Sequence, residues 1–325
     1  MVTGCNDMVL FLGIDGGGSG TQAVLGDEEG RILAKAVAGP SNPTKVGIER
    51  AKKELLRAAV GVLRKMPARA GYVKLTQARG PRGRRHEPLV AAVCAGVAGV
   101  DRPAMSRPLL AWLRKSVFAR HHLLTTDMAI ALHAALGKSA GMIVESGTGS
   151  FAYARTRRGE TLRASGWGAT FDDPGSGYDL GRKAVMAGLR DFDGRGEHTL
   201  LTSKICEALK LSNITQIVTE KLSPQQVAAL FPLVLEAAGK GDRVAKRLCL
   251  QAAFELAEMA LALGRRLKWR GPVPVVCAGG VFRSSPTLRR SFARFVHQRM
   301  PLARVGLLQR QPVEGALAMA RELVR

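Results

Sequence analysis

With 49 Lys and Arg against 26 Asp and Glu, the 325-residue chain carries a formal charge of +23, and 46% of it is hydrophobic but only 5% aromatic. This composition excludes wholesale disorder and a collagen-like repeat, and the length suits two domains of ordinary size. The longest apolar stretch, 89–100, is shorter than the ~20 residues that cross a bilayer core, and no basic leader precedes the first apolar run, so a cytoplasmic protein without a membrane partner is expected.

From Val9 the chain alternates apolar runs and turns: a glycine turn after Asp15, then an acidic turn at 27–30. This pattern predicts a three-stranded meander. A helix over 44–66 follows, with Val46, Leu55, Leu56, Ala59 and Leu63 on one face. The densest basic stretch, 69–85, contains no acid, and its glycines and prolines make it a loop. No helix-turn-helix, zinc finger or RNA-stacking aromatic motif accompanies it, so a solvated surface is favoured over a nucleic-acid interface. Next come a strand at 90–94, a helix at 108–119, a strand at 123–125 and a helix at 128–136. From Met142 the meander repeats, with its turns at 147–149 and 156–160. Helices are then expected over 180–190, 200–210, 224–240 and 243–267, a strand at 273–277, and helices near 286–299 and 313–324. Two meanders, each followed by helices and further strands, imply two related α/β domains with a ligand cleft between them.

The first glycine turn, Asp15-Gly16-Gly17-Gly18-Ser19-Gly20-Thr21, joins two strands and therefore is not a dinucleotide fingerprint, which would open a helix. Gly137-Lys138-Ser139 imitates the end of a Walker motif, but Leu132 stands where that motif requires glycine. No nucleophile-elbow serine is present. The copy of the first turn is Glu145-Ser146-Gly147-Thr148-Gly149-Ser150. Glycine lets backbone N–H groups approach a phosphate closely, so two such hairpins read as a pair of phosphate loops. The five cysteines (Cys5, Cys94, Cys206, Cys249, Cys277) are scattered, form no CxxC pair and read as reduced structural thiols.

These segments resemble the N-acetylglucosamine kinase group, which includes the BadF/BadG/BcrA/BcrD-type ATPases, within the actin/hexokinase/Hsp70 superfamily. The resemblance runs through GIDGGGSGT, GPSNPTKVG, AGVAGVDRP, TTDMA, ESGTGS, SGWGATFDDPGSGYDLGRKAV, CAGGVFRSSP and PVEGALAMA in order. It implies an α/β fold of two actin-like (ribonuclease H-like) domains, 1–126 with 310–325 and 127–309, closing over sugar and ATP. Gly16, Gly17, Gly18, Ser19 and Thr21 match the first phosphate loop. Gly147, Thr148 and Gly149 match the second, and Gly279, Gly280 and Ser284 the adenosine segment. Asn42, Ser150, Gly166, Trp167, Gly168 and Asp173 match the sugar-contacting region, and Asp127 the catalytic base.

Phosphoryl transfer to a hydroxyl requires a carboxylate to take its proton. Asp127, between a strand and a helix, is suited to that role, although an Asp there is also an ordinary helix cap. Asp15, at a strand end beside the first phosphate loop, is a candidate Mg²⁺ ligand or a turn-stabilising residue. Glu145 stands where the sugar kinases usually have an apolar residue and is a second candidate ligand; Phe151 replaces a polar residue that some members carry. The expected function is ATP-dependent phosphorylation of the 6-hydroxyl of N-acetylglucosamine or glucosamine, in a homodimer. N-acetylmuramic acid as the acceptor and an activator-type ATPase are the alternatives. For the latter, the cysteines offer no evident iron–sulfur ligand set.

Overall fold

The computed structural model describes residues 9–65, 90–117 and 119–324. The basic stretch 69–85 and Cys5 lie outside them. The first meander is β1 (Phe11–Gly16), β2 (Thr21–Gly26) and β3 (Ile32–Ala38); α1 (Pro43–Val46), α2 (Ile48–Leu63), β4 (Val90–Val97), α3 (Pro103–Ser116), β5 (Ala119–Thr125) and α4 (Asp127–Leu136) follow. The second is β6 (Gly141–Ser146), β7 (Ser150–Arg155) and β8 (Thr161–Ala164). Beyond it lie α5 (Gly177–Phe192), α6 (Leu200–Leu209), α7 (Pro224–Ala228), α8 (Phe231–Gly239) and α9 (Arg243–Arg266). The chain closes with β9 (Val273–Ala278), α10 (Gly280–Ser284), α11 (Pro286–Arg299), β10 (Ala303–Leu307) and α12 (Pro312–Glu322).

The strands form two five-stranded sheets, ordered β3-β2-β1-β4-β5 and β8-β7-β6-β9-β10. In each, the meander is antiparallel and two later strands extend its first strand in parallel. The same topology occurs twice, and it is the actin-like α/β arrangement. The chain divides into two compact units, Met1–Lys138 with Gln309–Arg325, and Ser139–Leu308.

In the first unit β1 is buried on both faces, as the central strand of a sheet covered by helices on both sides should be. Leu12 and Ile14 pack with Leu25, Leu55 and Ala59 on one side, and Phe11 packs with Val24, Cys94, Ile130 and Leu317 on the other. The second face is closed by α4 and α12. Gly13 admits α12 because a Cβ there would sit 2.5 Å from the Leu317 backbone nitrogen, and a Cβ on Gly315 would overlap the Ile130 carbonyl. His133 on α4 also meets Glu322 on α12 at 3.2 Å. Helix α4 is thus built into the first unit, which corrects the expected boundary at 126/127: the first unit runs to Lys138. The second unit buries Met142, Val144, Leu256, Phe282 and Phe292 among its sheet and helices.

Several expected elements differ in extent. The helix over 44–66 is two helices, because Asn42 caps α1 and Gly47 turns the chain at φ 80°. The helix expected at 108 begins at Pro103, the usual first-turn position for proline. Pro108 lies inside it and forgoes the bond its N–H would give to Ala104. The segment 224–240 breaks at 229–230 into α7 and α8. Strand β10 was not anticipated.

Candidate active site

In the first unit Asp15 on β1 pairs with Gly96 on β4, and Gly96 pairs with Thr125 on β5. Three parallel strands therefore finish level with one another, and Asp127 opens α4 two residues after that line. The cap belongs to Thr126, whose hydroxyl accepts from the Ala129 N–H at 3.1 Å. Asp127 is the first helical residue, and its Oδ1 accepts from the Met128 N–H at 2.9 Å. Packing around Asp15, and secondarily the charge of Asp127, push the Asp15 carboxyl up to about 7 from its ordinary 3.8. Two carboxyl groups that feel each other at a strand terminus are a strained arrangement in the absence of a cation or proton.

That shift has a sign. Between pH 4 and 7 the folded Asp15 retains a proton that the unfolded chain has lost, so its stabilising contribution is complete at low pH and disappears as pH rises through about 7. Because Asp15 is only half-buried as a residue, the effect between pH 5 and 7 is at most about 2 kcal/mol. In metal-free buffer, urea unfolding at these two pH values should show wild type losing up to that amount relative to Asp15→Asn. Parallel changes in both proteins would contradict the shift.

The first glycine loop is closed by Gly17 N–H donating to the Gly20 carbonyl at 2.8 Å. Gly16 packs inward, since a Cβ there would lie 2.5 Å from Ser41 Oγ. The buried Thr21 hydroxyl donates to the Gly39 carbonyl at 2.7 Å and shares a bond with Ser41 Oγ at 2.7 Å. The Ser41 N–H in turn donates to the Gly17 carbonyl at 3.0 Å. Thr21 therefore braces the loop from beneath. Gly17, Gly18 and the exposed Ser19 form its outer turn. Asn42 follows Ser41, and its Oδ1 is committed to capping α1, accepting from Thr44 N–H at 3.0 Å and Thr44 Oγ1 at 2.7 Å. The Asn42 amide NH₂ is the group that remains to serve a ligand.

The second unit repeats this geometry. Ser146 pairs with Ser150 across the β6–β7 hairpin, and the Gly147 N–H donates to the Gly149 carbonyl at 2.9 Å. Glu145 occupies in β6 the place of Asp15 in β1, opposite Phe151 on β7 and Ala278 on β9. The segment 173–178 wraps this loop. The Ser150 hydroxyl donates to Pro174 and that of Ser146 to Gly175, both at 2.7 Å. The Gly177 N–H donates to Gly147, and the Tyr178 N–H to Thr148. The Asp173 carboxylate lies against Gly149, where a Cβ would be 2.9 Å from its Oδ2, and accepts from the Ser150 N–H at 3.4 Å. Gly147, Thr148, Gly149, Ser150 and Asp173 thus form one assembly. Gly279, at φ 93°, rests on the Ser146 backbone, and Gly280 opens α10, which Ser284 ends.

Trp167 is 59% exposed, between Gly166 (φ 81°) and Gly168 (φ 111°), with the Arg163 guanidinium 3.8 Å above its ring. It is a surface indole rather than core, and the Trp167 backbone N–H donates to the Asp172 carbonyl at 3.2 Å, one residue before Asp173. Gly166 lies against Phe151, where a Cβ would be 2.9 Å from the Phe151 Cβ. Ser41 and Arg163 escaped the sequence reading. Each acts through a partner brought to it by the fold, and no local pattern signals that.

Cys94, Cys206, Cys249 and Cys277 are free thiols. Burial pushes Cys94 and Cys277 up to about 12 and Cys249 up to about 11, which makes them poor thiolate ligands. Among the described residues, no group of three or more His, Cys, Asp or Glu side chains is placed to hold a metal. Mg²⁺ fits the first unit in another way: it commonly takes only one or two carboxylates and completes its shell with waters and substrate phosphates. The packed Asp15 carboxyl, uphill to ionise beside Asp127, is a group whose charged form a divalent cation would stabilise. No helix among the described residues is long and apolar enough to cross a membrane.

Residues 12–320 match the BadF/BadG/BcrA/BcrD ATPase family. The chain is 32% identical over 322 residues to an N-acetylmuramic acid/N-acetylglucosamine kinase of Clostridium acetobutylicum, covering 97% of this chain and 99% of that protein. It is 28% identical to an N-acetyl-D-glucosamine kinase of Dictyostelium discoideum, with 96% and 97% covered. A crystal structure from Chromobacterium violaceum, provisionally named an N-acetylglucosamine kinase, superposes with a TM-score of 0.78 at 26% identity, covering 97% of this chain and 99% of the other.

Proposed function

The chain belongs to the BadF/BadG/BcrA/BcrD ATPase family, and on that premise we propose that it is an ATP-dependent kinase that phosphorylates the 6-hydroxyl of N-acetylglucosamine or glucosamine. The observation that carries this reading is the Asp15–Asp127 pair, two carboxyl groups in electrostatic contact at the strand ends beside a glycine loop.

Asp127, held by the first turn of α4, takes the proton of the sugar hydroxyl as its oxygen attacks the γ-phosphorus. The new O–P bond forms, the bond to the bridging β,γ oxygen breaks, and ADP leaves. The glycine loops at 16–20 and 147–149 offer backbone N–H groups to the phosphates, and 279–284 serves the adenosine. Asp15, with Glu145 as the second candidate, would hold Mg²⁺, which neutralises phosphate charge when bound. The Asn42 amide NH₂ donates to a sugar hydroxyl. The exposed Trp167 face supports the sugar ring, and Asp173, Ser150, Gly166 and Gly168 shape the rest of the sugar site.

In this reading the protein is cytoplasmic and homodimeric, with no nucleic-acid partner. N-acetylmuramic acid is the second acceptor to consider, because the Clostridium relative is named for both sugars. Steady-state kinetics with ATP and Mg²⁺ against N-acetylglucosamine, glucosamine, N-acetylmuramic acid and glucose test the reading. An amino sugar should give the highest kcat/KM and stimulate ADP release well above the sugar-free rate. ADP release indifferent to every sugar would point to the activator-type ATPase instead.

A further inference from the structure

From the placement of Lys45 we infer a further phosphate-contacting residue: its ammonium is the cation that the first glycine loop lacks in its own sequence, and it meets the terminal phosphate of ATP. This rests on the kinase reading. The loop 15–21 contains no basic residue, so its N–H groups alone face a polyphosphate. Lys45 closes that gap from a different segment. Its Nζ lies 3.3 Å, and its Cδ 3.5 Å, from where a Cβ on Gly18 would stand, so the side chain lies along the outer turn of the loop.

The approach is fixed by the backbone. The Ser41 N–H bonds Gly17, Ser41 Oγ bonds Thr21, Asn42 caps α1, and the Lys45 N–H donates to the Asn42 carbonyl at 3.0 Å. The five residues 41–45 thus carry the register of the phosphate loop directly to Lys45. Lys45 is exposed, and none of the ion pairs among the described residues involves it; the nearby Glu49 pairs with Lys52 instead. A lysine held on a phosphate loop without an acidic partner acts as a point charge for phosphate oxygens. A side chain at Gly18 would displace the ammonium by a few tenths of an ångström.

The test uses Lys45→Ala and Lys45→Arg in the full-length chain, with three readouts: kcat and both KM values, affinity for a non-hydrolysable ATP analogue against ADP, and urea unfolding. Lys45→Ala should lower kcat by about 10- to 100-fold, leave the amino-sugar KM within about twofold, weaken the ATP analogue more than ADP, and unfold like wild type. Lys45→Arg, which keeps the charge, should recover most of the loss. Lys45→Ala with kcat and analogue affinity within twofold of wild type would overturn the inference, as would a loss that Arg fails to relieve. If wild type moves no phosphate to any sugar, the kinase reading fails by itself, and the analogue-against-ADP comparison still decides the role of Lys45.

Discussion

Asp127→Asn should reduce kcat by about 10²- to 10⁴-fold, the range general-base removal produces, while the KM for the amino sugar changes little. The substitution keeps the shape, and the Asn side-chain oxygen can still accept the Met128 N–H bond that Asp127 Oδ1 accepts at 2.9 Å. The Thr126 cap, which holds the first turn of α4, is untouched. What is lost is the capacity to take a proton. A second consequence follows from the coupling of the two carboxyl groups. Removing the Asp127 charge should bring the Asp15 carboxyl down from about 7, although not to its ordinary value, because burial is the larger cause. Measured kcat within tenfold of wild type would remove Asp127 from the base role, and an unchanged pH dependence of stability would remove the coupling.

Gly279→Ala should destabilise the second unit by about 2–5 kcal/mol, adding the cost of a left-handed backbone for a residue with a Cβ to that of overpacking. Gly279 sits at φ 93°, and a Cβ would overlap the Ser146 carbonyl, which belongs to the strand end that opens the second glycine loop. The strain falls on backbone rather than on a flexible side chain, so no rotamer relieves it. The urea midpoint should fall, and the KM for ATP should rise more than that for the sugar, since the displaced residues are Ser146 and Gly147. Gly280→Ala is the control: nothing lies within 4 Å of a Cβ there, so its midpoint should stay near wild type. Equal midpoints for the two variants would show that the close approach at Gly279 carries no energetic weight.

The meanders were legible because their signals are local. Short apolar runs flank glycine turns at 16–20 and 147–149, and the repetition of that pattern is visible without any structure. The candidate residues Asp15 and Gly147 can be singled out for the same reason, since each lies at a run's end or in a glycine turn, whereas the candidate roles of Asp127 and Asp173 rest on the family resemblance. Less legible was whatever depends on distant packing. Strand β10 alternates Arg304 and Gly306 with its apolar residues and exists because β9 offers an edge to pair with. The boundary after Lys138 is set by Gly315 lying against Ile130, which no local pattern reveals. Thr126 and Asp127 are adjacent cap-capable residues, and only the hydrogen bond to Ala129 separates the cap from the candidate base. The break is marked in the sequence by Asn42-Pro43 and by Gly47 four residues later, yet the apolar periodicity across it obscures the turn.

The most direct test of the kinase account is ³¹P NMR of the protein incubated with ATP, Mg²⁺ and N-acetylglucosamine. The account predicts that the γ-phosphate signal is replaced by a phosphomonoester resonance coupled to the sugar's two C6 protons, in step with ADP. ADP accompanied only by inorganic phosphate would contradict it.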